Sequence, residues 1–272
     1  MIHPTAIIDA AAELESDVVI GPYVLIEGPV GIGSGTTIQG HAVVTGRVRI
    51  GRHNQIGYGA VIGAYPQDLS FQPGCVSGVE IGDQNVIREY CTIHRGTKPE
   101  TATVVGSRNF LMAGVHLGHN TLVGNDIVIA NNVLLGGYVE VEDRAFIGGA
   151  SLVHQFTRIG KVAMMQGSSA TGKDIPPFSI ASGRNSVVGI NFIGLRRAGF
   201  DLSLRKEAGE AFSLFYHQGL NATQALESAG KRSWALEIQP FWEFVAKSKR
   251  GICVYVKWAD IKAGTGHSAD AM

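Results

Sequence analysis

Aliphatic residues recur along this chain every six positions. They stand at Ile2, Ile8, Leu14, Ile20, Ile26, Ile32, Ile38, Val44, Ile50, Ile56 and Ile62 without a slip, often followed directly by Gly. The beat breaks, returns at Ile81, Ile87 and Ile93, breaks again, and then runs Val105, Leu111, Leu117, Val123, Ile129, Leu135, Val141, Ile147, Val153, Ile159 and Met165. This period matches neither an α-helix, at about 3.6 residues per turn, nor the strict alternation of a long strand. It matches a short strand plus a turn, repeated, with the aliphatic residue pointing into a continuous core and Gly taking the sharp corner. Three such units closing one triangular coil give a parallel β-helix, each coil bonded only to its neighbours. A β-sandwich would not hold this phase. The fold class is therefore an all-β repeat, a parallel β-helix of hexapeptide repeats.

The interruptions predict loops over residues 63–80 and 95–104, and loops on a rigid scaffold commonly carry binding groups. After Met165 the beat fades, and Pro176-Pro177 marks a change of regime. Downstream the pattern is helical. A short segment spans about Asn191 to Ala198, and a second runs from Ser203 to His217 with Leu204, Ala208, Ala211, Phe212 and Phe215 on one face. Asn221 reads as the N-cap of a third that ends near Gly230, and a fourth is expected from about Ala235 to Arg250. The organisation read from the sequence is thus a β-helix over 1–190, a small C-terminal α-helical domain over 191–250, and a tail over 251–272 that begins strand-like and ends frayed.

Composition narrows the class. With 36 Gly and only 17% charged residues, the chain suits many short strands and tight turns and does not suit a helical bundle. Lys plus Arg and Asp plus Glu each number 23, so the whole-chain balance gives no pull toward nucleic acid, and an anionic ligand would have to be met locally. The three cysteines, Cys75, Cys91 and Cys253, form no close-spaced pair, and an odd count argues against a secreted disulfide framework. The cytoplasm is the expected compartment. The first residues lack the basic start and apolar run of a signal peptide, and no stretch approaches the ~18 apolar residues of a membrane span.

Three histidines stand out as candidate chemistry. His116 and His119 flank the core residue Leu117, and His154 follows Val153. His119 and His154 are 35 residues apart, close to two coils of about 18, which places them along one edge of the prism. A metal site would want a third ligand, and no Asp, Glu or Cys repeats in register beside them, so no metal is expected. No GxSxG, Walker or dinucleotide fingerprint is present. What remains is a His base acting on a hydroxyl or an amine.

The strings TIHRGT at Thr92 to Thr97, LMAGVHLGH, IGGASLVHQF, DIPPF at Asp174 to Phe178 and GLRRAGF at Gly194 to Phe200, in order and with both loops in place, resemble the UDP-N-acetylglucosamine O-acyltransferase family of lipid A biosynthesis. The resemblance covers nearly the whole chain to about residue 250. It implies a left-handed β-helix, a homotrimer with clefts between subunits, and transfer of a 3-hydroxyacyl chain from acyl carrier protein to the 3-OH of UDP-N-acetylglucosamine. No resident cofactor is implied, the acyl chain arriving on the carrier's phosphopantetheine. Position by position, it implies His119 as general base and the Gly137 N–H as oxyanion donor, with Asn120 beside the base. Gln67, Asp68, His116, Tyr138, His154 and Gln155 fall at sugar and acyl contacts, Asn191 and Arg197 at nucleotide contacts. Met164, Gly167 and Asn185 fall where acyl length is set.

Departures from the family pattern cluster around the sugar nucleotide. Asn120 stands where an Asp orients the imidazole, and an amide there invites the wrong tautomer. Ser70 replaces a Lys, Tyr138 a His, Ile193 a Glu and Ala198 an Arg. A UDP-3-amino sugar, whose amine needs less help from a base, and a different nucleotide sugar are therefore alternative acceptors, and a paralogue with weak or no activity is a further reading. A coenzyme A-dependent hexapeptide acetyltransferase and a non-catalytic binding module are the readings from other classes. The basic run Arg196, Arg197, Arg205 and Lys206 offers a landing patch for an acidic carrier protein.

Overall fold

Most six-residue units become a strand of two to four residues and a turn whose corner residue is left-handed. Asn120, Asp126, Asn132, Tyr138 and Arg144 have φ of 58°, 58°, 58°, 58° and 60°. That region suits Asn and Gly; at Phe156 (φ 64°) and Val162 (φ 57°) the repeat holds a bulky side chain there against its preference. The computed structural model describes residues 1–262, and among these the strands stack into three sheets of nine, eight and eleven strands, successive strands passing from one sheet to the next. The result is a left-handed parallel β-helix, a triangular prism with one sheet per face.

The six-residue beat is the core. All the residues of that series from Ile20 to Met165 are buried. Ile2 is 54% exposed, and Ile8 and Leu14 are half-buried, because the prism is open at its first coil and no rung lies below them. A second inward position, two residues earlier in each unit, holds small or branched side chains and, at Asn54, Asn85 and Asn109, buried amides. Asn54 Oδ1 accepts from the Asn85 N–H at 2.9 Å, Asn85 Oδ1 from the Asn109 N–H at 2.9 Å, and Asn109 Oδ1 from the Ile127 N–H at 2.9 Å. This ladder satisfies turn amides that would otherwise be orphaned in the core.

The loops are shorter than the sequence suggests, 65–77 and 95–101, because strands Val61–Ala64 and Gly78–Ile81 take up both ends of the first interruption and Ala102–Val105 takes up the far end of the second. They are insertions, not breaks. On the first face register partners Val43 and Val61 are 18 residues apart, whereas Val61 and Thr92 are 31 apart and Thr92 and His116 are 24 apart. Both insertions leave at one corner, between the first and second faces, in successive coils.

Beyond the prism, α1 (Phe192–Arg197), α2 (Leu202–Tyr216), α3 (Ala222–Ala229) and α4 (Gln239–Ala246) form a second apolar core around Leu195, Phe200, Phe241 and Trp242, which meets the prism at Val162 and Phe178. α3 begins at Asn221 with a full capping box and ends at Gly230, as its sequence indicates. α4 is much shorter than the expected Ala235–Arg250: Pro240 confines its start to Gln239, since a proline is tolerated only in a first turn. The strand-like start of the 251–272 segment is Val254–Tyr255, which joins the third face beside Ser186–Ile190 with Cys253 buried against it, and Trp258–Lys262 forms a last short helix. The frayed end expected beyond it, residues 263–272, lies outside the described residues.

Candidate active site

The corner that releases the two loops also carries the histidines. His119 follows strand His116–Leu117, Gly137 follows Leu134–Leu135 and Gln155 follows Leu152–Val153, one above another. Beside this corner a cavity of about 920 Å³ runs along the first face, and Gln67, His116, His119, Gly137, His154, Gln155 and Asn185 all line it. Its outer wall of Leu134 and Leu152, 45% and 51% exposed, makes an apolar stripe in register with His116 and Ala170.

His119 is the best-supported group in the cavity, its side chain only 12% exposed. Nδ1 lies 3.1 Å from Asn120 Oδ1, Nε2 lies 3.8 Å from Asp68 Oδ2, and the Tyr138 ring meets the imidazole edge-on with centroids 5.2 Å apart. Gly137 is required by close approach: a Cβ there would fall 2.4 Å from Cε1 and Nε2 of His119. Among the described residues no acceptor pairs with the Gly137 N–H. Asp68 is held by the N–H and hydroxyl of Ser70 at 2.8 and 2.7 Å, and these bonds, with a smaller contribution from His119, keep its carboxyl below the usual range. Ser70 thus serves the loop where the family pattern has a cation.

His116 Nδ1 lies 2.8 Å from Thr92 Oγ1. Burial, and secondarily the neighbouring His94, push its pKa down to about 4, so it is neutral near pH 7. The His154 Nδ1 lies 3.1 Å from the Gln155 carbonyl and 3.3 Å from an Arg250 guanidinium nitrogen.

Sequence reasoning missed several residues here. His94 lines the cavity, donates from Nδ1 to the Tyr65 carbonyl at 2.6 Å and sits 5.1 Å from the His116 ring; burial lowers its pKa, against the effect of that carbonyl. Its only signal was adjacency to the core residue Ile93. Arg250 reaches the cavity from the far side of the helical domain, where no local pattern marks it. Thr97 donates to Asn120 Oδ1 from both N–H and hydroxyl, each at 3.0 Å, and its Oγ1 lies 3.1 Å from the Tyr138 hydroxyl. Tyr138 stacks on Phe156 at 4.9 Å, and with Asn120 lines a neighbouring cavity of about 670 Å³.

Four of the expected residues are placed elsewhere in the chain. Met164 and Gly167 belong to the third face and its turn, and neither lines the cavity. Asn191 caps α1, Oδ1 accepting from the Gly194 N–H and Nδ2 donating to the Val162 carbonyl, both at 2.9 Å, so its amide is engaged at both ends. Arg197 is exposed in the last turn of the same helix, next to Arg196, with Arg205 and Lys206 following on α2. Among the described residues no three His, Cys, Asp or Glu side chains converge as a metal set, and no helix is long and apolar enough to cross a membrane.

Comparison with known proteins bears on this arrangement. A family model described as UDP N-acetylglucosamine O-acyltransferase, domain 2, matches residues 174–253. The acyl-(acyl-carrier-protein)–UDP-N-acetylglucosamine O-acyltransferase of Syntrophobacter fumaroxidans is 40% identical over 92% of this chain and 98% of its own, and that of Thermodesulfovibrio yellowstonii is 43% identical over 93% and 98%. Among solved structures, the UDP-N-acetylglucosamine acyltransferase of Francisella novicida superposes with a TM-score of 0.91 at 33% identity, covering 99% of this chain and 100% of that one. The Campylobacter jejuni enzyme gives 0.89 at 35% identity over 94% and 100%.

Proposed function

The chain belongs to the acyl-carrier-protein-dependent UDP-N-acetylglucosamine O-acyltransferase family, and from that membership we propose that it moves a 3-hydroxyacyl chain from acyl carrier protein to the 3-OH of UDP-N-acetylglucosamine, opening lipid A biosynthesis. The observation that carries this reading is the pairing of His119 and Gly137: Nδ1 is engaged by Asn120, Nε2 is left for a substrate proton, and the Gly137 backbone, whose N–H meets no acceptor among the described residues, lies against the same ring.

His119 Nε2 takes the proton of the 3-OH as that oxygen attacks the thioester carbonyl. A C–O bond forms, and the carbonyl electrons become an oxyanion stabilised by the Gly137 N–H. Collapse re-forms the carbonyl and breaks the C–S bond, and the leaving thiolate takes the proton back from the imidazolium. The acyl group arrives activated, so the sequence of steps uses no metal and no resident cofactor. Gln67, Asp68 and His154 hold the sugar side, and the Leu134–Leu152 stripe takes the acyl chain. A neighbouring subunit of a homotrimer brings the exposed Arg197 to the nucleotide, while Asn191 caps the helix that carries it, and the basic residues of α1 and α2 receive the acidic carrier. Three free thiols, two of them buried, suit a cytoplasmic protein. The amine acceptor loses its main argument, since Asn120 already presents an acceptor atom to the base.

The test is transfer from 3-hydroxyacyl carrier protein to UDP-N-acetylglucosamine, with His119→Ala alongside. Robust transfer by the wild type and a drop of about 10²- to 10⁴-fold in the variant are expected. No transfer by a folded wild type would overturn the assignment.

A further inference from the structure

His119 can act from Nε2 only while its proton sits on Nδ1. An aspartate beside Nδ1 would guarantee that tautomer, because both its oxygens accept. Asn120 does not: turned over, its NH₂ would face Nδ1, force the proton onto Nε2 and leave His119 no basic nitrogen toward the cavity. What decides between the two orientations is Thr97. Its backbone N–H, 3.0 Å from Asn120 Oδ1, can only donate, so the atom it meets must be the oxygen. The Thr97 hydroxyl adds a second donor at 3.0 Å. With the oxygen fixed there, His119 Nδ1 at 3.1 Å must carry its proton. Because the single Thr97 hydroxyl proton is committed to Asn120, the Tyr138 hydroxyl 3.1 Å away donates to Thr97 Oγ1. The bonds run one way, from Tyr138 through Thr97 to Asn120, and a chain so ordered polarises each member toward the next.

We propose that Thr97, backed by Tyr138, is the positioning residue that sets the tautomer of His119. The inference rests on the reading of His119 as base. It requires that the need for Thr97 depend on Asn120 being an amide, which a merely structural threonine would not show.

The experiment is a double-mutant cycle with Thr97→Val and Asn120→Asp, read by kcat and KM, together with ¹⁵N NMR of the His119 ring in the unliganded proteins. In the Asn120 background Thr97→Val should lower kcat about tenfold with KM little changed, the backbone N–H retaining part of the orientation, and Thr97→Ser should restore it. In the Asn120→Asp background the same change should cost less than about twofold. The wild-type ring should carry its proton on Nδ1, and Thr97→Val should shift part of the population to Nε2. An equal loss in both backgrounds, no loss in either, or a wild-type ring protonated on Nε2 would each overturn the proposal. If the wild type transfers no acyl group while its ring carries the proton on Nδ1, the functional reading fails and the tautomer assignment stands.

Discussion

At the scale of single residues the site is governed by contacts too close for any substitution. The imidazole of His119 occupies the space a Gly137 side chain would fill, so Gly137→Ala must push the ring aside. Activity should fall by at least about 10²-fold, while the melting temperature stays within a few degrees because the strain is relieved at an edge side chain. A loss of fold in the variant would show that Gly137 serves the coil and not the base. His116 gives a pH signature. Its folded pKa lies near 4, below its ordinary 6.5, so the unfolded chain binds the proton better. Stability is unaffected above pH 6.5, declines as pH falls toward 4, and does not decline further from this group below that. His116→Gln should remove this part of the slope, measured as melting temperature against pH. The residues that escaped sequence reading share a cause. Thr97 and Arg250 come to the corner from a loop and from beyond the helices, and His94, though in a coil strand, is engaged by Tyr65 from the first loop; hexapeptide phase says nothing about such excursions.

Among the elements, the 65–77 loop shows how a rigid prism holds an excursion. The Arg95 guanidinium lies buried in a slot left by Gly46, donates from Nε to the Gly63 carbonyl and from Nη2 to the Thr45 carbonyl at 3.0 Å, and sits under the Tyr65 ring. A Gly46 Cβ would come within 2.3 Å of its Cζ. Arg95→Leu and Gly46→Ala should therefore act alike. Each should cost about 1–3 kcal/mol and speed amide exchange in residues 65–77, detectable by mass spectrometry after deuteration. If Gly46→Ala leaves exchange there unchanged, Arg95 does not hold the loop. Elements whose signals are local were legible: the beat located the strands, Asn221 and Gly230 bounded α3. The start of α4 was misread because the apolar residues Ala235, Leu236 and Ile238 lie ahead of Pro240, which a helix tolerates only in its first turn. The loops were overestimated because Gly78–Ile81 and Ala102–Val105 resume pairing before the next beat residue announces it.

Taken whole, the molecule is a column with one open and one closed end. The last coils are covered by the helical domain and by Val254–Tyr255, whereas the first coil has neighbours on one side only. Amide protection should rise from the first coil inward over several rungs, and uniform protection from Ile2 onward would mean that something caps the open end. Assembly belongs to this scale too: sedimentation should give three chains per particle, and a fully active monomer would exclude nucleotide contacts supplied by a neighbour.

The 18-residue spacing of register partners has one further consequence. Between Gly137 and Asn185 the cavity is graduated in whole rungs of about 4.8 Å. Excising a number of residues that is not a multiple of six would turn inward side chains outward, and six or twelve would carry every later strand to another face, whereas removing one complete coil would bring the far wall one step nearer the histidine and leave every remaining side chain in its seat. The groove can thus change its reach only in integers, and the protein carries its own unit of length.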